Sequence, residues 1–223
     1  MVLQLKVSNE AKVDNYFSSP IWLFDKPEWV KSVNKACDKY IKEAYKRDKD
    51  KIKKDDFGWS YHSGPIFNDP KLKELHDWVG ATSHNFLDSM GYDLSNHTLY
   101  YTESWVQEFS KKGGGHHNSH IHGNNHVSAF YYLKCTENTS RPIFHDPRLA
   151  AKMMKLPEKD SKQVSNASDK INYTPKPGSL IFIPAYLEHE YGVDSGKEDF
   201  RFIHFNLQAV SNNITGVKND TSI

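Results

Sequence analysis

The sequence predicts a mainly β fold of the α+β class: a jelly roll or related double-stranded barrel with N-terminal supporting helices. Two observations carry this. Before Gly91, apolar residues recur twice at helical spacing. After it come short runs rich in β-branched and aromatic residues, TLYYTESWVQEF, HVSAFYYL, SLIFIP and FRFIHFNL, separated by Gly, Pro and polar clusters. A chain of 223 residues can bury a real core. With no internal repeat it is expected to form one domain, 1–95 as helical support and 96–210 as the jelly-roll core.

The first helix is expected from Asp25-Lys-Pro-Glu28, which offers an N-cap Asp, an early Pro and a Glu three residues on. Trp29, Val33, Cys37, Tyr40, Ile41 and Ala44 then follow at helical spacing, until the pattern runs out in the charged stretch KRDKDKIKKDD, read as a solvated helix end or loop. The second helix starts at Asp69-Pro70, carries Leu72, Leu75, Val79, Phe86 and Met90 on one face, and stops at Gly91, a natural C-cap. Between the strands, RLAAKMMKLPEKDSKQVSNASDKI is polar enough in its second part for a long surface loop.

Composition narrows the function classes. Lys plus Arg number 29 against 28 Asp plus Glu, so no basic field points to nucleic acid. MVLQLKVSNE lacks the apolar core of a secretory signal, and no window approaches the eighteen or more apolar residues of a membrane span. The chain therefore reads as soluble and cytoplasmic, with no membrane partner. Cys37 and Cys135 are too few for a disulfide framework or a structural zinc module.

The stretch GGGHHNSHIHGNNHV places five of the twelve histidines within residues 116–126. In a strand, residues two apart share a face, so His120 and His122 would present two imidazoles side by side while Ile121 turns away. That is half of a chelate. Gly113 to Gly115 suggest a flexible approach or a bulge near the rim. A non-haem iron site wants two histidines and a carboxylate on one face, and HIH supplies no carboxylate. PKPGSLIFIPAYLEHEYG offers a returning ligand: a Pro-Gly turn, a buried strand, a proline that ends it, and then His189. Twelve residues on, Arg201 opens RFIHFN, and a cation at the start of an apolar strand asks for an anion. No acidic residue in a matching strand is evident from the sequence.

The order HxH, SAFYYL, FHDPR, P-x-P-G-x-L-I-x-x-P-x-x-x-x-H, then Arg and HFN resembles the iron(II)- and 2-oxoglutarate-dependent oxygenase superfamily, nearest to the prolyl-hydroxylase-like oxygenases of phages and marine bacteria. YFSSPIW and FGWSYHSG resemble that group's opening segments, so the likeness spans most of the chain. The resemblance implies a double-stranded β-helix core, Fe(II) as metal, and 2-oxoglutarate and O2 as co-substrates. It also implies His120 and His189 as iron ligands, Arg201 as the partner of the distal carboxylate of 2-oxoglutarate, and Tyr132 as a hydroxyl helping to hold that carboxylate. The family's usual acid falls on His122, a departure: three neutral imidazoles leave the metal its full double positive charge and alter its selectivity between iron and zinc. The implied activity is oxidative decarboxylation of 2-oxoglutarate to succinate coupled to hydroxylation of a C–H bond. A peptidyl residue is a candidate substrate, which fold and cofactor do not decide.

Two other classes stand beside this one: a cupin-like three-histidine metalloenzyme indifferent to 2-oxoglutarate, iron dioxygenase or zinc hydrolase, and a non-catalytic jelly-roll binding module. His116 and His117 are expected to support the ligands or sit at the rim rather than to ligate, and His126 is a reserve ligand. Trp105 and Gln107 alternate on one strand face and are pocket candidates, with core packing the stronger expectation for Trp105. Asp146-Pro-Arg148 reads as a turn. His204 has the opposite strand parity to Arg201 and is therefore placed outside the site.

Overall fold

In the computed structural model residues 12, 14–51 and 56–213 are described. The segment MVLQLKVSNE and residues 52–55 of the charged stretch lie outside them. The chain runs β1 (Trp22–Asp25), α1 (Val30–Asp48), β2 (Ser60–His62), α2 (Lys73–Ser89), β3 (His97–Phe109), β4 (His117–His120) and β5 (Val127–Lys134). It continues through β6 (Pro142–His145), α3 (Leu149–Met153), β7 (Lys170–Asn172), β8 (Ser179–Pro184), β9 (His189–Tyr191) and β10 (Arg201–Ser211).

Strand alternation builds the layers. Along β10, Ile203, Phe205 and Leu207 pack with Val33, Ala36, Cys37 and Ile41 of α1 and with Leu75, Val79 and Phe86 of α2. The intervening Phe202 packs instead with Phe144, Leu187 and Tyr191. A six-stranded antiparallel sheet, β1-β8-β5-β10-β3-β2, thus buries one face under the two helices and turns the other to a four-stranded antiparallel sheet, β4-β9-β6-β7. This is the expected jelly-roll sandwich with helical support. β1 and β2 come from the N-terminal region and form the two edges of the larger sheet, so residues before 96 supply strands as well as helices.

The second helix starts as the sequence predicts. Asp69 accepts a hydrogen bond from the Lys71 backbone N–H, a 3-10 turn over Pro70–Leu72 follows, and Gly91, with φ of 88°, ends the segment. The first helix differs. Asp25 is the last residue of β1, paired with Ser179, and α1 follows a 3-10 turn at Pro27–Trp29 without a side-chain cap. Gly113 and Gly114 also differ from the flexible approach expected of them. Both have φ of 82°, and a Cβ would lie 2.8 Å from Ser195 at the first and 2.6 Å from Gly58 at the second, so they are close-packed backbone.

A bulge decides what faces the interior. The register of β3 against β10 shifts between Asn206 and Leu207: Tyr101 pairs with Leu207, Glu103 with Asn206, and Thr102 is the extra residue. Side chains that alternate one way before Thr102 alternate the other way after it. Trp105, Gln107 and Phe109 consequently point between the sheets, and Val106 and Glu108 point to the helices.

Candidate metal centre

β4 pairs with β9 so that His120 lies directly opposite His189. His122 follows two residues on, outside the strand, where its backbone N–H donates to Ala185 O at 3.0 Å; His126 and Ala185 exchange a further backbone bond, and Asn124 takes a left-handed φ of 63° in the turn between. The HIH spacing thus works through a strand end and an anchored turn. His120, His122 and His189 each offer one nitrogen, and these nitrogens lie within 4.8 Å of one another. Ring centroids are 4.9 Å apart for His120 and His122, 4.5 Å for His120 and His189, and 5.1 Å for His122 and His189. Among the described residues no carboxylate belongs to the cluster.

The hydrogen bonds define the tautomers. His120 Nδ1 lies 2.7 Å from Asn118 O and His189 Nδ1 2.8 Å from Leu187 O. A carbonyl only accepts, so both rings carry their proton on Nδ1 and present an Nε2 lone pair, the arrangement that holds ligating histidines in metal sites. His122 is tied differently. Asn206 accepts from the Ser128 hydroxyl at 2.6 Å and donates through Nδ2 to Glu103 at 2.7 Å; the same Nδ2 faces His122 Nδ1 at 3.0 Å. The His122 proton therefore sits on Nε2, 3.3 Å from His189 Nε2.

Burial, reinforced by neighbouring imidazoles, pushes His122 down to about 4. Burial likewise pushes His189 down to about 3, over the opposing bond to Leu187 O. Both are neutral at neutral pH, as metal ligation requires. Around them lie Trp105, His117, Phe130, Tyr191, Phe202 and His204, enclosing a cavity of about 10 Å³, the size of a single water. His117, expected to support the ligands or sit at the rim, lines it: its Nε2 is 2.8 Å from Gln107 Oε1, and Gln107 in turn donates to Ser60 Oγ. Burial also pushes His117 down to about 4.

Two expectations are corrected. Arg201 is nearly fully buried, but on the helix face. Its Nε donates to Glu108 at 2.6 Å, and its Nη1 donates to Asn34 Oδ1 at 2.7 Å and Asp38 Oδ1 at 2.8 Å. Glu108, inside the strand TLYYTESWVQEF and directly across the sheet from Arg201, is the anion the sequence did not reveal. The guanidinium is thus engaged away from the histidines and is not positioned to meet a ligand there. His204, placed outside the site, is inside it, 4.6 Å from the His122 ring. The opposite parity of Arg201 and His204 is correct; which of the two faces the interior is the reverse of the expectation. Tyr132 points into the sandwich, but its hydroxyl is 2.8 Å from that of Tyr191, both fully buried, so the pair satisfies itself. His116 bonds Gly114 O and His126 bonds the Ala209 N–H, and neither joins the cluster. Asp146 accepts from the Arg148 backbone N–H and guanidinium, as a turn should.

Residues 103–206, which carry every residue of the cluster, match the family described as "Putative 2OG-Fe(II) oxygenase". No curated protein matches the chain. Among solved structures it is similar to EctD from S. alaskensis in its apo form, with 14% identity, 93% of this chain and 81% of that one covered, and a TM-score of 0.58. A prolyl-4-hydroxylase from Pseudomonas putida gives 11% identity, 86% and 94% coverage and 0.52. The viral collagen prolyl hydroxylase of Paramecium bursaria Chlorella virus-1 gives 13%, 86% and 90%, and 0.51. At these identities the three likenesses show a shared fold.

Proposed function

We propose that the chain is a 2-oxoglutarate-dependent oxygenase, as the match of residues 103–206 to the 2OG-Fe(II) oxygenase family supports, and that His120, His122 and His189 hold its iron(II). The observation that carries the assignment is the convergence of three imidazole nitrogens, two of them already presenting Nε2 lone pairs fixed by backbone carbonyls. The donor set fits a divalent metal ion: three imidazole nitrogens, His189 buried and His120 and His122 half-buried, with Trp105, Phe130 and Phe202 beside them. When bound, iron and 2-oxoglutarate supply the chemistry that couples decarboxylation to succinate and CO2 with hydroxylation of a C–H bond by O2.

The chain's own residues set the conditions for that chemistry. Asn118 O and Leu187 O orient the two rings of β4 and β9. To hold the metal through Nε2, His122 would carry its proton on Nδ1, with the Asn206 amide turned so that its oxygen accepts it. Trp105, Phe130 and Phe202 keep bulk water from the centre. With no carboxylate among the ligands, the protein leaves the ion's double charge uncompensated, so anionic co-substrate is favoured beside it.

Arg201 would have separated this reading from a three-histidine metalloenzyme indifferent to 2-oxoglutarate. With its guanidinium held by Glu108 and Asp38, the separation rests on co-substrate binding. The primary substrate is proposed to be a peptidyl residue, on the likeness to two prolyl hydroxylases. The test is to supply iron(II), ascorbate and 2-oxoglutarate with proline-containing peptides. Succinate above background, abolished in His189→Ala, is expected. Absence of succinate, with no calorimetric binding of 2-oxoglutarate to metal-loaded protein, sinks the reading.

A further inference from the structure

Apart from the space the histidines enclose, a cavity of about 490 Å³ opens at the end of the sandwich where β6 runs into the turn Asp146-Pro147-Arg148. Its floor is apolar: Ile21, Phe144, Ile171 and Leu187. Two of these reach the metal centre. The Phe144 ring lies 6.2 Å from that of His189, and Leu187 O accepts from His189 Nδ1 at 2.8 Å, so one layer of side chains separates the cavity from a ligand. At the rim, Phe17 is 97% exposed and takes a left-handed φ of 60°, a costly backbone for a bulky residue. An aromatic ring held in water above an apolar floor is surface that a ligand would cover.

The strand beside the cavity gives that ligand its form. β7 is an edge of the smaller sheet, and Lys170 and Asn172 are exposed on either side of Ile171. The Asp146 N–H donates to Asp169 O and the Tyr173 N–H to Pro142 O, with Ile171 paired to Phe144 between them. Antiparallel pairing alternates, so residues 169, 171 and 173 spend their backbone groups on β6, while Lys170 and Asn172 turn theirs to the open edge. Side chains alternate as well: Ile171 enters the cavity and Lys170 stands on the other face, at its mouth. In an added strand the residue beside Ile171 would therefore point into the cavity and its neighbour would stand beside Lys170. Charge selects that neighbour. Asp146 is held by the Arg148 guanidinium at 2.9 Å, whereas among the described residues Lys170 is in no ion pair.

We propose that this cavity and the free edge of β7 anchor a polypeptide substrate, which adds to β7 as an extended strand, seats an apolar side chain against Ile21, Phe144, Ile171 and Leu187, and sets the carboxylate of the adjacent residue beside Lys170. This rests on the function proposed above; the residue that reacts is one that flanks the anchored pair.

The test measures, by fluorescence anisotropy, the binding of short blocked peptides carrying a proline and the pair Leu-Glu among glycines to the whole chain, with cobalt(II) bound and after chelation. Replacing Leu-Glu by Leu-Gln is expected to weaken binding about threefold, the size of one exposed ion pair, and replacing it by Ala-Glu about tenfold. Lys170→Glu should reverse the first preference, so that Gln is taken over Glu. Alternate amides of an added strand face β7, so N-methylation should cost about tenfold at one residue of the pair and less than about twofold at the other. The proposal is overturned if no peptide of the set binds below about 1 mM, if Lys170→Glu keeps the preference for Glu, or if the two N-methylated peptides bind alike. It is also overturned if N-acetyl-leucine amide competes as well as a whole peptide, which would make the cavity a small-molecule site. Should Lys170→Glu fail to fold, the N-methyl series on the unaltered protein carries the comparison. Affinity in the chelated protein speaks to the anchor alone and succinate formation decides the oxygenase reading, so the two fail separately.

Discussion

On the helix face of the larger sheet, Arg201 meets Glu108, Asp38 and Asn34, and His76 meets Leu72 O and Ser104; on the face turned to the smaller sheet, His204 meets neither donor nor acceptor, and His122 and His189 confront each other nitrogen to nitrogen. Both faces are formed by the same strands. On the helix face the buried charge of Arg201 and the imidazole of His76 are both partnered. The inner face leaves the His204 nitrogens unpartnered and sets the His122 and His189 nitrogens against each other.

Breaking the helix face should produce the largest change in stability. Arg201→Met takes the guanidinium from Glu108, whose carboxylate keeps the Tyr45 hydroxyl and Lys134, and urea unfolding should show a loss of about 3 kcal/mol, with cobalt affinity unchanged. An Arg201 that served only the co-substrate would give the reverse, and a further Glu108→Leu change should recover most of the loss if the pair is structural.

Acid should break the inner face next. His117, His122 and His189 have native pKa values of about 4, 4 and 3 against an ordinary 6.5. Below pH 6.5 the unfolded chain takes up protons that the native chain resists, so stability is complete above 6.5 and falls as pH drops toward about 4. For His189 alone the slope is at most ~1.4 kcal/mol per pH unit, or ~3 kcal/mol over two units. Urea midpoints of chelator-treated protein between pH 7 and 4.5 check this; a flat profile would mean that the inner imidazoles are hydrated.

His189→Ala should lower cobalt affinity by at least about 100-fold, more than the loss of an outer partner of a ligand, while changing the metal-free melting temperature by less than about 3 °C. Competition with a chelator of known affinity measures the first and calorimetry the second. The smallest expected effect runs the other way. Asn206→Asp replaces the donor facing His122 Nδ1 by an acceptor, favours the Nδ1–H tautomer, and should raise cobalt affinity by about tenfold. An unchanged affinity would show that the Asn206 amide turns freely.

Much of this architecture was legible. Helical spacing from Val33 to Ala44, the Asp69 cap and the Gly91 stop mark scaffold helices, and they are where they were expected. The returning strand SLIFIP pointed to His189, which the fold brings opposite His120. Glu108 was not legible, because a partner across a sheet depends on register, and register depends on the bulge at Thr102. Asn206 was missed as the hydrogen-bonded neighbour of His122 for the same reason. The one available signal was strand parity, since His204 and Asn206 share the face opposite to Arg201.

The sequence by itself determined the β-rich class, the two supporting helices, the trio His120, His122 and His189, and the alternation of Arg201 with His204. Those follow from spacing along the chain, which is local. Only the tertiary structure decided which side of the alternation is interior to the sandwich and which lies under α1. Alternation defines two faces without naming them, and the choice belongs to whatever packs against each: helices carrying Asp38 and Asn34 on one side, a second sheet carrying His189 on the other.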